Sequence, residues 1–308
     1  MQRYELRPST PDAPLQLASF EPAALGDTEV AVAIKAVSLN YRDLLAVRNT
    51  YFSPIPDGRV PCSDGAGEVV AVGSKVSHLK VGDRVATLFF PHWQAGRADG
   101  CHIAGARGAE SDGALTERFV SEESGLIKLP DSISDDTAST LIMKGLTVQY
   151  LFRQVYPLKA GDTILYHAAA GGVGLIACQW AKALGVTMIG TVGSDEKAAA
   201  AKAAGCTHVI NYNRENFAQR VRELTDGKGV PVVYDSVGED TLIGSLDSLQ
   251  KKGTLVSNGT SSGPVLIDTT LLAAKGSLWV TRPDMVDYAL PRPTLLNMAA
   301  ALRHLESN

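Results

Sequence analysis

The feature that most restricts the fold of this chain is residues 162–185, DTILYHAAAGGVGLIACQWAKALG, which stands at the head of a regular alternation. Thr163 to Tyr166 are β-branched or apolar and read as a strand, and the residues from Gly172 onward carry apolar side chains at helical spacing. Between them lie Ala169-Ala170-Gly171-Gly172-Val173-Gly174, the GxGxxG pattern with alanine in first place. TMIGTVG, HVINY and VPVVYDSV then read as strands, alternating with SDEKAAAAKAAG, NFAQRVRELTDG and DTLIGSLDSLQKKG as helices; TLVSNG and SLWVTR close the series as strands. Such alternation predicts an α/β domain: a doubly wound parallel sheet of the Rossmann kind with helices on both faces.

The turn after Tyr166 is the candidate nucleotide site. Small residues permit a tight reversal, Gly171 lets backbone approach a pyrophosphate, and Gly174 lets the helix lie close on the sheet. Unpaired N–H groups and the positive end of the helix dipole would meet the phosphates. The next strand selects the cofactor. NAD binders place an acid near its tip for the ribose 2′-hydroxyl. Here the strand ends at Gly193, followed by Ser194-Asp195-Glu196-Lys197. Gly193 and Ser194 leave room, Lys197 brings positive charge and Tyr212 a hydroxyl, which favours the 2′-phosphate of NADPH. Asp195 keeps NAD open. Read locally, Ser194 is an N-cap, Asp195 and Glu196 are dipole partners, and Lys197 is a solvated helix residue.

At 308 residues the chain has room for two domains. A net charge of −4 supplies no field that would draw in nucleic acid or an anionic membrane, so neither is expected as a partner. The four cysteines, Cys62, Cys101, Cys178 and Cys206, form no CxxC pair; reduced thiols in a cytoplasm are the simple reading. The polar, proline-bearing N-terminus lacks an apolar signal segment, and the apolar stretch 163–193 is broken by Lys182, His167 and glycines, which argues against a membrane span. The first ~125 residues hold short β-type runs, EVAVAIKAVSL, GAGEVVAVG and DRVATLFF, and predict a β domain. The polar segment 91–113 is either a binding element or a surface excursion. DDTASTLIMKGLTVQYLFRQV (135–155) predicts a helix starting at Ser134 or Asp135 and interrupted at Gly145.

HLKVGDRV, LKAGDTILYHAAAGGVG and VVYDSVG together resemble the medium-chain dehydrogenase/reductase superfamily. LIMKGLTVQYLFR, HAAAGGVGLIACQWAKALG, VINY, YDSVG, GTSSG and GSLWVTRP, across residues 141–283, are similar to bacterial NADPH:quinone oxidoreductases. SLNYRDLLAVRN and CSDGAGEVVAVG, in the first half, look more like zinc-free alcohol-dehydrogenase-like members. The resemblance implies a mainly β, GroES-like catalytic domain over 1–125, with 284–308 returning toward it, and a Rossmann domain over 126–283. It places Asn40, Tyr41 and Asp43 opposite the nicotinamide, as the candidate catalytic group. It places Lys144, Thr147 and Tyr150 on the helix leading to the cofactor, although Tyr150 reads equally as core. Gly172 and Val173 then hold the pyrophosphate, Gly193, Lys197 and Tyr212 surround the 2′-phosphate, and Ser236, Asn258, Gly259, Thr260 and Ser261 line the strand ends.

Zinc enzymes of that superfamily use cysteine and histidine ligands. The corresponding cysteine position falls in Leu39-Asn40-Tyr41, the histidine region reads SDGAGE without a histidine, and the lobe that would need four cysteines has Cys101 alone. His92, Cys101 and His102 match no zinc spacing, so no metal is expected. Without ligands for a Lewis acid the chemistry shifts to electron-poor acceptors. The expectation is NADPH-dependent reduction of a quinone, with Asn40 and Tyr41 as hydrogen-bond donors to the acceptor. The alternatives are a zinc-free reductase of an enone, enoyl thioester or aldehyde, or an NADPH-binding protein with little turnover. A homodimer through the edge strand GSLWVTRP is expected. PRPTLLNMAAALRHLESN (291–308) reads as one helix where relatives run on, so the catalytic domain is expected to be truncated, with an open sheet edge and reduced stability.

Overall fold

The computed structural model describes residues 1–51, 54–92 and 105–288. The segment holding Cys101 and His102, and the final helix expected at 291–308, lie outside these. Among the described residues the chain divides into two compact units, Met1–Leu146 and Thr147–Tyr288.

The first unit is built on β3 (Glu29–Ser38), β4 (Asp64–Val72), β5 (Arg84–Thr87), β6 (Arg118–Glu122) and β7 (Leu126–Lys128). They form one five-stranded sheet in the order β6-β3-β4-β5-β7, every pair antiparallel. Strands β1 (Gln2–Leu6) and β2 (Leu15–Ser19) make a separate hairpin. Alternation along β3 and β4 sends Val30, Val32 and Val69 into a core shared with Val85, Phe119 and Leu126. Helix α1 (Tyr41–Val47) begins where Asn40 leaves β3: the Asp43 carboxylate turns back to accept the Asn40 N–H at 2.7 Å, a capping-box contact. A buried arginine ties the end of the long segment to this sheet. Arg107 donates to the Leu88 carbonyl and the Ser121 hydroxyl, and its guanidinium lies 4.6 Å from the Phe119 ring centre.

Helix α2 (Asp135–Tyr150) is capped by Ser134, whose hydroxyl accepts the Thr137 N–H at 3.1 Å. The expected interruption at Gly145 does not occur. The helix runs through it, and the irregularity begins six residues later, in a π-type turn at Leu151–Val155 whose Leu151 and Phe152 are buried.

The second unit realises the predicted alternation: β8 (Thr163–Tyr166), α3 (Gly172–Ala183), β9 (Thr187–Val192), α4 (Asp195–Ala203), β10 (His208–Asn211), α5 (Phe217–Leu224), β11 (Val230–Asp235), α6 (Leu242–Ser248), β12 (Leu249–Ser257), α7 (Thr269–Ala274), β13 (Trp279–Thr281) and α8 (Met285–Tyr288). Its six strands are parallel in the order β10-β9-β8-β11-β12-β13. That order, 3-2-1-4-5-6 within the unit, is the Rossmann arrangement, with its switch point between β8 and β11. Leu165, Ile189, Ile210, Val233, Leu246 and Leu255 fill the core. The sequence runs one helix from Asp240 to Gly253, but the structure ends it at Ser248 and continues as a strand. Arg222 sets that boundary by donating to the carbonyls of Asp247 and Leu249, which satisfies acceptors the helix end would leave bare. Helix α7, in the segment after GTSSG, was not anticipated; Asp268 caps it by accepting the Thr270 N–H. No helix among the described residues is long and apolar enough to cross a membrane.

Candidate functional site

In the second unit the site grows from the turn after β8. The chain reverses through Ala168 at φ 54°, and Gly171 caps α3 in an extended conformation with no side-chain bond. The Leu175 N–H is the first to find the cap carbonyl, at 2.9 Å from Gly171 O, so the N–H groups of Gly172, Val173 and Gly174 have no acceptor among the described residues. Gly171 and Gly172 are exposed. Gly174 is dictated by contact: a Cβ there would lie 2.4 Å from the Ala168 carbonyl oxygen and 2.6 Å from Ala169 backbone. The three open N–H groups sit at the positive end of a 12-residue helix beside the switch point, which makes an anion cradle.

At the second strand tip the local reading of Ser194 as an N-cap holds. Ser194 accepts the Lys197 N–H at 3.2 Å as N-cap of α4, while the Lys197 side chain is exposed. Tyr212 stands over Gly193, where any Cβ would come within 2.5 Å of its hydroxyl. Asp195, the residue that kept NAD open, is engaged elsewhere: Asn211 Nδ2 donates to it at 3.0 Å and Arg214 pairs with it at 2.5 Å. Arg214 is a second cation at this tip that the sequence reading missed; its place just beyond HVINY was the available signal.

The remaining strand ends bring Ser236, Asn258 and Gly259 together. Gly259 runs against Ser236, whose carbonyl oxygen a Cβ would meet at 2.3 Å, and the Ser261 N–H reaches the same carbonyl at 3.4 Å. Asn258 Oδ1 is buried without a hydrogen-bond partner, an acceptor awaiting a donor. Thr260 and Ser261 are exposed. Tyr150 is core: its ring stacks on Tyr288 at 5.6 Å, and burial pushes its hydroxyl up to about 12. Thr147 is half-buried in the same helix.

A polar network that the sequence did not signal lies beneath these strand tips. Ser245 donates to Asp235 at 2.7 Å, so it accepts from His167 Nε2 at 2.9 Å, and His167 Nδ1 then accepts the Thr191 hydroxyl at 2.8 Å. Burial lowers the His167 pKa, which keeps the ring neutral in this tautomer. His167 and Thr191 form part of the wall of a cavity of about 550 Å³ that Tyr212, Phe217 and Thr241 also line.

In the first unit the three catalytic candidates separate. Tyr41 is half exposed. Asp43 is buried, and its role is to hold the start of α1. Asn40 Nδ2 is spent on Asp64 Oδ2 at 2.7 Å and faces Ser63 Oγ at 3.4 Å, so it is a fixed element rather than the ready donor expected. Behind it lies a charge cluster. Lys144 Nζ donates to Ser38 Oγ at 2.7 Å and stands 3.9 Å from Asp64. Burial raises the Asp64 carboxyl to about 6, raises Asp43, and lowers Lys144. Lys144, placed by resemblance near the cofactor, is therefore part of the same buried group as Asn40. Among the described residues no group of three or more histidines, cysteines or acids is arranged to hold a metal ion.

Comparison with known proteins accords with this geometry. Residues 26–131 match the alcohol dehydrogenase GroES-like domain and residues 172–289 the zinc-binding dehydrogenase model. The chain is 48% identical over 290 residues to a quinone oxidoreductase of Pseudomonas aeruginosa, covering 94% of this chain and 82% of that protein. It is 38% identical to a 2-haloacrylate reductase of Burkholderia, covering 85% of this chain and 75% of the relative. The crystal structure of Escherichia coli quinone oxidoreductase complexed with NADPH superposes with a TM-score of 0.83 at 40% identity, covering 99% of this chain and 87% of that one. The chain belongs to the medium-chain dehydrogenase/reductase superfamily, in the branch of the quinone oxidoreductases.

Proposed function

We propose that this protein is an NADPH-dependent reductase of quinones that works without a metal. The observation that carries the reading is the N-terminus of α3, where Gly172, Val173 and Gly174 offer open N–H groups at the sheet's switch point. These groups bind the diphosphate. Lys197, Tyr212 and Arg214 take the 2′-phosphate, with Gly193 and Ser194 leaving space for it, and the engagement of Asp195 by Asn211 and Arg214 supports NADPH over NADH. Ser236, Asn258, Gly259, Thr260 and Ser261 line the rest of the dinucleotide, and the unpartnered Asn258 Oδ1 accepts one of its donors. When bound, the reduced nicotinamide supplies two electrons and one hydrogen; the chain supplies position and exclusion of water. The acceptor meets the half-exposed Tyr41, while Asn40, committed to Asp64, holds the start of the helix beside it.

The domain plan proposed from sequence, a catalytic domain over 1–125 joined by 284–308 and a cofactor domain over 126–283, assigns these roles. A homodimer through β13 is supported by its place at the sheet edge and by Trp279, 68% exposed on it. The free, buried thiols of Cys62, Cys178 and Cys206 suit a cytoplasmic protein.

The test is NADPH binding by fluorescence together with NADPH oxidation in the presence of a quinone panel and an enone panel. Binding with quinone turnover is expected; turnover of enones alone would move the substrate class toward that of the haloacrylate reductase relative. Lys197→Glu is expected to weaken NADPH about fivefold while sparing NADH, the scale of one exposed charge pair.

A further inference from the structure

The reductase reading leaves one chemical requirement unassigned: the acceptor oxygen must gain a proton as the electrons arrive. We propose that Ser38 and Lys144 form the proton-donating couple of the acceptor site, with Ser38 as the group that touches the acceptor oxygen and Lys144 as the reserve behind it. The inference rests on the proposed activity for its substrate and on the geometry for its residues.

Three observations support it. Ser38 ends β3 and lies opposite Asp64 in the antiparallel register, so its side chain shares a face with the Asp64, Asn40 and Lys144 cluster. Its hydroxyl oxygen accepts a Lys144 N–H at 2.7 Å, which forces its own hydrogen elsewhere, and no acceptor for that hydrogen exists among the described residues. Ser38 is also only half-buried, whereas the Lys144 side chain is 9% exposed, so the serine is the outward end of the pair. Burial lowers the Lys144 pKa, which eases release of its proton, and the acids around it offset part of that fall. Asp64 from β4 stands 3.9 Å away, Asp43 from α1 adds a second negative charge, and Cys62, whose thiol burial pushes up to about 12, stays neutral.

The step balances as follows. The Ser38 O–H bond breaks as the acceptor O–H bond forms, and a Lys144 N–H proton passes to Ser38 Oγ, leaving a neutral amine. The two electrons and the other hydrogen come from the reduced nicotinamide, so a quinone becomes a hydroquinone. Lys144 recovers its proton from water through Ser38.

The first experiment needs no cofactor. The phenolate of 4-nitrophenol absorbs in the visible and mimics the oxygen anion of a reduced acceptor. Wild-type protein is expected to lower its apparent pKa by about one unit, the scale of one nearby opposite charge. Ser38→Ala and Lys144→Met should abolish the shift and Ser38→Thr should retain it. In turnover, Ser38→Ala should lower kcat by about 10²-fold with an unchanged NADPH dissociation constant, the effect of losing a positioned acid. It should also move the alkaline limb of the kcat profile, and Ser38→Thr should restore most of the rate. A Ser38→Ala protein that matches wild type in the phenolate shift and in kcat overturns the proposal and leaves the reductase reading intact. A phenolate shift that depends on Ser38, in a protein that turns over no quinone or enone, supports the donor site and removes the reductase reading.

Discussion

Gly174→Ala is the sharpest probe of the nucleotide turn. An added Cβ would stand 2.4 Å from the Ala168 carbonyl oxygen, and both neighbours are backbone, so no side chain can rotate away. An ordinary contact needs the helix end or the turn to shift by roughly 1 Å, and such overpacking costs about 1–3 kcal/mol. Alanine's better helix propensity returns at most about 1 kcal/mol. With that full return the net loss is about 0–2 kcal/mol, and each kcal/mol lowers Tm by roughly 2–4 °C for a domain of this size. Moving the three open N–H groups away from the diphosphate should cost more in binding: at least a tenfold rise in the NADPH Kd, or about 1.4 kcal/mol. Gly171→Ala is the control for the melts alone, because its nearest contact is 3.2 Å and its φ of −75° suits any residue. Thermal melts and fluorescence titration of both variants decide the matter. If Gly174→Ala binds NADPH as tightly as the wild-type protein, the claim that this turn holds the phosphates fails.

Other consequences can be measured directly. The Asp64 carboxyl is raised from 3.8 to about 6, so the folded state keeps a proton that the unfolded chain has lost; stability falls as pH rises from about 4 to 6 and levels off above. The linkage amounts to about 3 kcal/mol, and Asp64→Asn should flatten that part of the Tm profile and raise Tm at neutral pH. His167 has the opposite sense: its lowered pKa means stability is lost as pH drops below its ordinary 6.5, and nitrogen NMR should show a neutral ring with the proton on Nε2 down to that range. Arg107→Met should cost about 2–4 kcal/mol in denaturant unfolding, because it strands the Leu88 carbonyl in the interior and takes away the donor that the Ser121 hydroxyl accepts.

The second unit was largely legible because its strands and helices differ in period, and because Gly174 must be glycine for a steric reason that also shows in the sequence. What escaped was decided by contacts distant in sequence. Ser248 ends a helix because Arg222, 26 positions earlier, reaches the carbonyls on either side of it. Gly145 does not break its helix, which no local propensity could foretell. The cluster of Asp64 and Lys144 joins residues 80 positions apart, so neither the raised acid nor the commitment of Asn40 to it could be read from spacing. Asn40 illustrates the limit: whether its amide faces a ligand or a carboxylate depends on β4 lying beside β3.

Ala168 holds a left-handed backbone at φ 54° without being glycine. A glycine there would relax the conformation but would free the unfolded chain and loosen the native loop; the methyl group narrows both. The turn therefore meets its ligand already shaped, and less disorder has to be removed on association. Stiffness at this single residue should appear as a favourable entropy of nucleotide uptake, and Ala168→Gly should erode it while leaving the enthalpy nearly unchanged.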